Sequence, residues 1–161
     1  VPLLIAHSGD IAMTREFAEI LIIVATTIEA GILMFVSEVI QKVMNEMDAA
    51  TFKAFLGRLE HRAMRSPTAL AASLVTTIAC IPYFIYFGFG NRWFTAGIVV
   101  WFLSAAGSKV LNLPIYNSVG KLPDTETIKL EAARKKLQSA NVVRASTILI
   151  SVVLMVVGLA R

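Results

Sequence analysis

The chain has 161 residues, of which 57% are hydrophobic and only 16% charged, and its mean hydropathy is +0.71. Soluble domains lie near 45–50% apolar and about 25% charged, so this composition argues against a water-soluble fold. The net charge of +4 comes without any aromatic–basic stripe and so gives no reason to expect a nucleic-acid partner. Cys80, the single cysteine, lies inside an apolar run and leaves neither an internal disulfide nor a Cys-based metal or thiol-redox motif.

In chain order, Val1–Ala6 is apolar but too short for a signal core and has no basic segment before it. No cleavable signal peptide is expected, although the opening Val is compatible with processing or a missing start. Four long apolar stretches follow: Phe17–Val36, Thr68–Phe87, Trp93–Leu113 and Val142–Leu159. A hydrocarbon core of about 30 Å takes roughly 20 helical residues to cross. In lipid the backbone has to satisfy its own hydrogen bonds, so each stretch is expected to be a helix. The fold expected is all-α: a four-transmembrane-helix bundle forming one integral membrane domain over residues 1–161, with amphipathic helices on the cytoplasmic side.

Glu29 lies within the first span, with no basic residue one helical turn away. Ionisable groups at such depth face the bundle interior and tend to mark function. Glu29 is therefore a candidate proton acceptor or ligand anchor; the other reading is a structural glutamate tied to Thr26, Thr27 or Ser104. From Ser37 to Arg65, the apolar residues Val39, Ile40, Val43, Met44, Met47, Phe52, Phe55, Leu56 and Leu59 recur at three and four. The first helix is expected to continue to about Glu46. A second amphipathic helix, capped by Asp48 or Thr51, would then end before Pro67. It covers the membrane surface or forms a lid over a pocket.

The second span carries Pro82 near its outer end, and a short turn at Gly88–Arg92 makes the second and third spans antiparallel neighbours. The third span ends in Asn112-Leu-Pro-Ile-Tyr-Asn117, where Pro114 lacks a backbone donor and is expected to break or bend the helix. Carbonyls freed there, with Asn112, Tyr116 and Asn117, make a polar bowl. Asp124 is the expected N-cap of a helix leading into the fourth span, which opens on Asn141 and Arg144. Glu38, Lys109, Asn112, Asn141 and Arg144 thus gather at one depth, as an ion-pair network or as the mouth of a pocket for an anionic or phenolic substrate.

Lys42, Lys53, Arg58, Arg62, Arg65, Lys109, Lys121, Lys129, Arg134, Lys135, Lys136 and Arg144 lie on one side of the spans; Arg15, Arg92 and Arg161 lie on the other. The positive-inside rule places the larger group in the cytoplasm and both termini outside; the expected location is a bacterial inner (plasma) membrane. His7 and His61 fall on opposite sides. Glu29 and Glu38, the carboxylates assigned to the spans, are roughly 13 Å apart along a helix and cannot share a metal. No metal or cofactor site is expected, and no repeat of broken helices points to a transporter.

The chain resembles the four-helix membrane proteins grouped with fungal and bacterial anthrone oxygenases. The resemblance rests on Glu29-Ala-Gly-Ile-Leu-Met-Phe-Val-Ser, Val43-Met44, Leu111-Asn-Leu-Pro-Ile-Tyr-Asn117 and Asn141-Val-Val-Arg144, in the order of that family and over nearly the whole chain. It implies a cofactor-independent oxidation of a hydrophobic aromatic or quinoid molecule by dioxygen. The donors would be Asn112, Asn117, Asn141 and Arg144, and the base Glu29 or His61. Members often carry Trp before the final Asn-x-x-Arg, whereas this chain has Lys136 and Leu137; Phe35, Tyr116, Trp93 or Trp101 would have to supply the stacking surface. The competing reading is a non-catalytic accessory subunit or small-molecule binder of a larger membrane complex. A proton-coupled transporter would need several copies. The expected partners are the bilayer, a hydrophobic ligand, and further copies or a membrane complex.

Overall fold

The computed structural model describes residues 2–161, with side chains from Arg15 onward; His7 and the reading of Val1–Ala6 as no signal core lie outside the described side chains. The elements are α1 (Pro2–Phe35), a π-helical turn (Val36–Ile40), α2 (Gln41–Glu46), α3 (Ala49–Ala63), α4 (Pro67–Phe87), α5 (Arg92–Gly107), a second π-helical turn (Ser108–Asn112), α6 (Leu113–Lys121) and α7 (Thr127–Leu159). Four helical runs among the described residues are long and apolar enough to cross a membrane: Arg15–Glu46, Pro67–Phe87, Arg92–Lys121 and Thr127–Leu159. Their outward faces carry Leu74, Ile78, Ile81, Leu103, Leu149 and Val153 exposed, a surface that suits lipid.

Length separates the runs. At 1.5 Å per residue α4 is about 31 Å long, close to one bilayer core, whereas α7 is about 50 Å long. The surplus of α1–α2, α5–α6 and α7 emerges at one end, and α3 packs against it. Two apolar cores result. One holds Ile22, Ala30, Cys80, Tyr83, Phe94, Ile98, Trp101, Ile148 and Met155. The other, at the α3 end, holds Met44, Phe52, Leu56, Val119, Leu130, Ala133 and Leu137. The amphipathic helix is therefore one wall of a second small bundle rather than a surface covering.

Local chemistry sets the ends. Asp48 caps α3, accepting from the Thr51 backbone N–H at 2.9 Å and the Thr51 hydroxyl at 2.6 Å. The Thr51 hydroxyl, more than its N–H, holds the Asp48 carboxyl below its usual range, so the cap's contribution is present at neutral pH and fades as pH falls through that lowered value. Ser66 and Asn91 cap α4 and α5, with Pro67 at the first position of α4. Gly88 ends α4 at φ +64, a backbone conformation open to glycine. Asp124 does not cap α7: that helix starts after Glu126 without a side-chain cap, and Asp124 pairs with Lys53 at 2.9 Å. Lys53 also donates to the Leu122 carbonyl at 2.6 Å, and Arg134 donates to the Met44 and Met47 carbonyls at the end of α2. Lys53 and Arg134 thus take up carbonyls left free at helix ends.

Pro114 does not break the third run. The turn before it widens to π geometry, with the Leu113 N–H reaching the Ser108 carbonyl, and the chain continues into α6. A π turn absorbs one residue and re-aims those that follow it without ending the helix.

The close backbone contacts between spans run in one order. α5 packs along α7, α7 along α1 and α1 along α4. Contrary to expectation, α4 and α5 are not neighbours along their length; among the described residues they meet at the turn end, where the Tyr83 and Phe94 rings lie 4.9 Å apart. The α5–α7 approach depends on glycine. A Cβ on Gly97 would sit 2.5 Å from Met155 Cγ and 2.9 Å from the Ser151 carbonyl, and one on Gly158 would sit 2.6 Å from the Phe94 nitrogen.

Gly158→Ala and Gly97→Val should each destabilise the detergent-solubilised protein by about 1–3 kcal/mol. Gly31→Ala, where a Cβ meets nothing within 4 Å, should not; thermal unfolding of the three variants reads the difference.

Candidate functional site

Between the two cores lies a layer of carboxamides. Asn112 Nδ2 donates to Asn141 Oδ1 at 2.7 Å, and Asn141 Nδ2 donates to Gln41 Oε1 at 3.0 Å. Gln41 Nε2 then donates to Asn45 Oδ1 at 3.0 Å, and Asn45 Nδ2 to Gln138 Oε1 at 3.2 Å. Asn112, Asn141 and Gln41 are buried, while Asn45 and Gln138 are exposed, so the chain of amides runs from interior to surface. Gln41 and Gln138 border an open recess of about 450 Å³ together with Met34, Ser37, Glu38 and Lys42.

Both π-helical turns lie at this level: Gln41 follows one and Asn112 ends the other. An extra residue per turn rotates what comes after it, and here it aims both amides at Asn141. All amides donate in one direction, so the buried end of the chain keeps an acceptor. Asn112 Oδ1 has no hydrogen-bond partner. Hydrogen bonds in series polarise one another, which strengthens that acceptor.

Arg144 stands one turn beyond Asn141 on α7. Its carbonyl accepts from Ser104 at 3.3 Å, and its side chain lies against Gly107, where a Cβ would come within 3.6 Å of Arg144 Cγ. Its Nε is buried without a partner. The ion pairs among the described residues are Arg15–Glu19, Lys53–Asp124 and Lys129–Glu126, none of which involves Arg144. Tyr116, half-buried, is close enough to interact with both Arg144 and Asn112.

The other sequence candidates are elsewhere. Glu29 is half-buried in the first core, where its Oε2 accepts from Trp101 Nε1 at 3.0 Å while its Oε1 is unpartnered. Trp101 precedes Asn112 by eleven residues, so Glu29 sits roughly 16 Å from the amide layer along the bundle. His61 is exposed on α3, beside Lys53, Arg58, Arg62 and Asp124, and Asn117 is exposed on α6. The structure therefore gathers Asn112, Asn141 and Arg144, and leaves Glu29, His61 and Asn117 apart. Glu38 is exposed and forms no ion pair among the described residues, so the network expected at this depth is made by neutral amides.

Three polar positions escaped the sequence reading. Gln41, Asn45 and Gln138 complete the amide chain, and the four-residue spacing of Gln41 and Asn45 was their signal. Glu19 was also passed over. Buried at the turn end, its Oε1 accepts from Arg15 Nε at 3.0 Å, Tyr83 at 2.8 Å and Asn91 Nδ2 at 3.3 Å, while Asn91 Nδ2 also reaches the Gly158 carbonyl at 3.0 Å. This cluster ties α1, α4, α5 and α7 together.

No group of three or more His, Cys, Asp or Glu able to hold a metal occurs among the described residues. Scans against protein-family models, curated proteins and solved structures found no match to this chain.

Asn141→Leu should strand Asn112 Nδ2 and Gln41 Oε1 in the interior. Each buried unpaired group costs about 1–3 kcal/mol. Asn117→Ala, at an exposed position, should change stability by no more than about 0.5 kcal/mol. Denaturant or thermal unfolding in detergent compares the two.

Proposed function

We propose that this chain is an integral membrane protein, its α3 end cytoplasmic, that binds a hydrophobic aromatic or quinoid molecule carrying an acidic oxygen. One observation carries the reading: a guanidinium with its Nε buried and no carboxylate partner among the described residues, beside an amide oxygen that accepts nothing. Unpaired polar groups inside a bundle are costly and are usually satisfied by something. A phenolate or enolate oxygen suits Arg144, a neighbouring hydroxyl suits Asn112 Oδ1, and Tyr116 offers an aromatic face. The basic residues concentrated at the α3 end support the orientation.

The second reading adds chemistry to the same locus. In the oxygenase that the family resemblance implies, the methylene of an anthrone loses a proton and its enolate oxygen rests against Arg144. Carbon then takes one atom of dioxygen while the other leaves as water, so that anthrone and dioxygen give anthraquinone and water. The half-buried Arg144 cation favours this reading because a guanidinium placed there would stabilise the enolate. The roughly 16 Å between Glu29 and the amide layer favours binding alone, since Glu29 cannot reach a proton held there.

The test uses the purified protein in lipid nanodiscs with a hydroxylated anthrone and an oxygen electrode. Saturable binding is expected, weakened about tenfold or more by Arg144→Gln and partly restored by Arg144→Lys, as for loss of a charged hydrogen bond. Oxygen uptake with anthraquinone formation selects the second reading, and binding without uptake selects the first. Unchanged binding in Arg144→Gln would remove both.

A further inference from the structure

A recess of about 860 Å³ lies on the outer face of α3, and among the described residues neither the amide layer nor Arg144 borders it. Its floor is made of small residues: Ala50, Ala54 and Gly57 from α3, and Gly120 from the end of α6. A Cβ on Gly57 or Gly120 would meet nothing within 4 Å, so the floor opens on free space. Phe52 and Leu56 turn the other face of α3 into the second core. The recess is thus backed by a packed helix rather than by a loop.

Charge decides what suits it. Lys53, Arg58 and Arg62 border the recess together with a single carboxylate, Asp124, which Lys53 already holds at 2.9 Å. Arg58 and Arg62 are exposed and pair with no carboxylate among the described residues. They stand four apart on α3, where like charges repel. An anion between them removes that repulsion, and the guanidinium fork matches the oxygens of a phosphate. Position points to the source of that phosphate. α4 has the length of one bilayer core, so with the spans in lipid its first residue, Pro67, lies at the core's edge. The Arg62 carbonyl accepts from the Arg65 N–H at 3.1 Å, and Pro67 is two residues further on. Arg62 therefore stands within roughly 10 Å of that edge. The headgroup region beyond the edge is roughly 5–8 Å deep, a difference that an arginine side chain bridges.

We infer that this recess is a site for the phosphate of an anionic phospholipid headgroup, held by Arg58 and Arg62. The head rests on the floor formed by Ala54, Gly57 and Gly120, and the acyl chains stay in the bilayer. The site rests on the spans lying in lipid, as proposed above, and owes nothing to Arg144.

Native mass spectrometry of the detergent-solubilised protein, titrated with phosphatidylglycerol or phosphatidylcholine, tests it. The first phosphatidylglycerol should bind saturably and about tenfold or more tighter than phosphatidylcholine, as for a charged hydrogen bond. Arg58→Gln with Arg62→Gln should abolish that preference. So should Gly57→Leu or Gly120→Leu, which fill the floor and leave every charge in place. Lys135→Gln with Lys136→Gln removes the same charge from an exposed stretch of α7 and should keep the affinity within about threefold, as for a solvated surface charge. Glycerol 3-phosphate, the soluble source of the same chemistry, should not displace the lipid at equal concentration. Unfolding midpoints without lipid confirm that each variant is folded. Arg144→Gln should leave the preference in place, so failure here and failure of the Arg144 reading are separable. Equal binding of the two lipids overturns the site, as does a preference indifferent to the arginine pair or to both filled glycines. A preference lost equally in the lysine pair would show diffuse charge instead, and displacement by glycerol 3-phosphate would overturn the lipid as occupant.

Discussion

A helix interior facing lipid has no water with which to settle its polar groups, and that constraint organises this molecule. It is met by three arrangements stacked along one bundle. At the turn end a single carboxylate oxygen of Glu19 gathers donors from Arg15, Tyr83 and Asn91. Midway, Glu29 has only the Trp101 indole. At the α3 end an unbroken line of amides joins α1–α2, α5 and α7. In the first every donor meets the carboxylate oxygen, whereas the other two each leave a buried polar atom without a partner.

The amide layer also separates two kinds of surface. On one side the core is closed by close helix approach at Gly97 and Gly158 and faces outward with Leu, Ile and Val. On the other, Phe52, Leu56, Leu130 and Leu137 form a core whose outer surfaces carry Lys and Arg. Carboxamides suit such a boundary because each both donates and accepts, so they can be chained without the desolvation cost of ions. The π-helical turns are part of the same solution, since they turn Gln41 and Asn112 inward where regular helix would aim them differently.

Much of this was legible in the residues. Four apolar runs of spanning length gave the all-α class, and the three-and-four spacing from Val39 to Leu59 gave α2 and α3. Asp48 was one of the two caps proposed for α3. The meeting of Asn112, Asn141 and Arg144 at one depth was also readable. What escaped depends on tertiary partners or on single-residue register. Periodicity averages over a window and cannot see one π turn, so Pro114 read as a break or bend. Glu19 vanished into the mean hydropathy of its run, although Arg15 stood four residues before it. Asp124 looked like a cap from its local sequence, but Lys53, 71 residues away, takes it instead. A short turn between α4 and α5 suggested neighbours, whereas packing on α1 separates them below the aromatic plug.

The proposed orientation has α7 passing from water to lipid at the amide layer, with its first half on the cytoplasmic side. Single cysteines at Lys135, Ser139, Leu149 and Val153, all exposed on the helix surface, test it in a Cys80→Ala background. A membrane-impermeant maleimide should label the first two in inverted membrane vesicles but not in intact cells, and the last two in neither. Labelling of all four from water would contradict membrane insertion, and labelling of Lys135→Cys or Ser139→Cys in intact cells would invert the orientation.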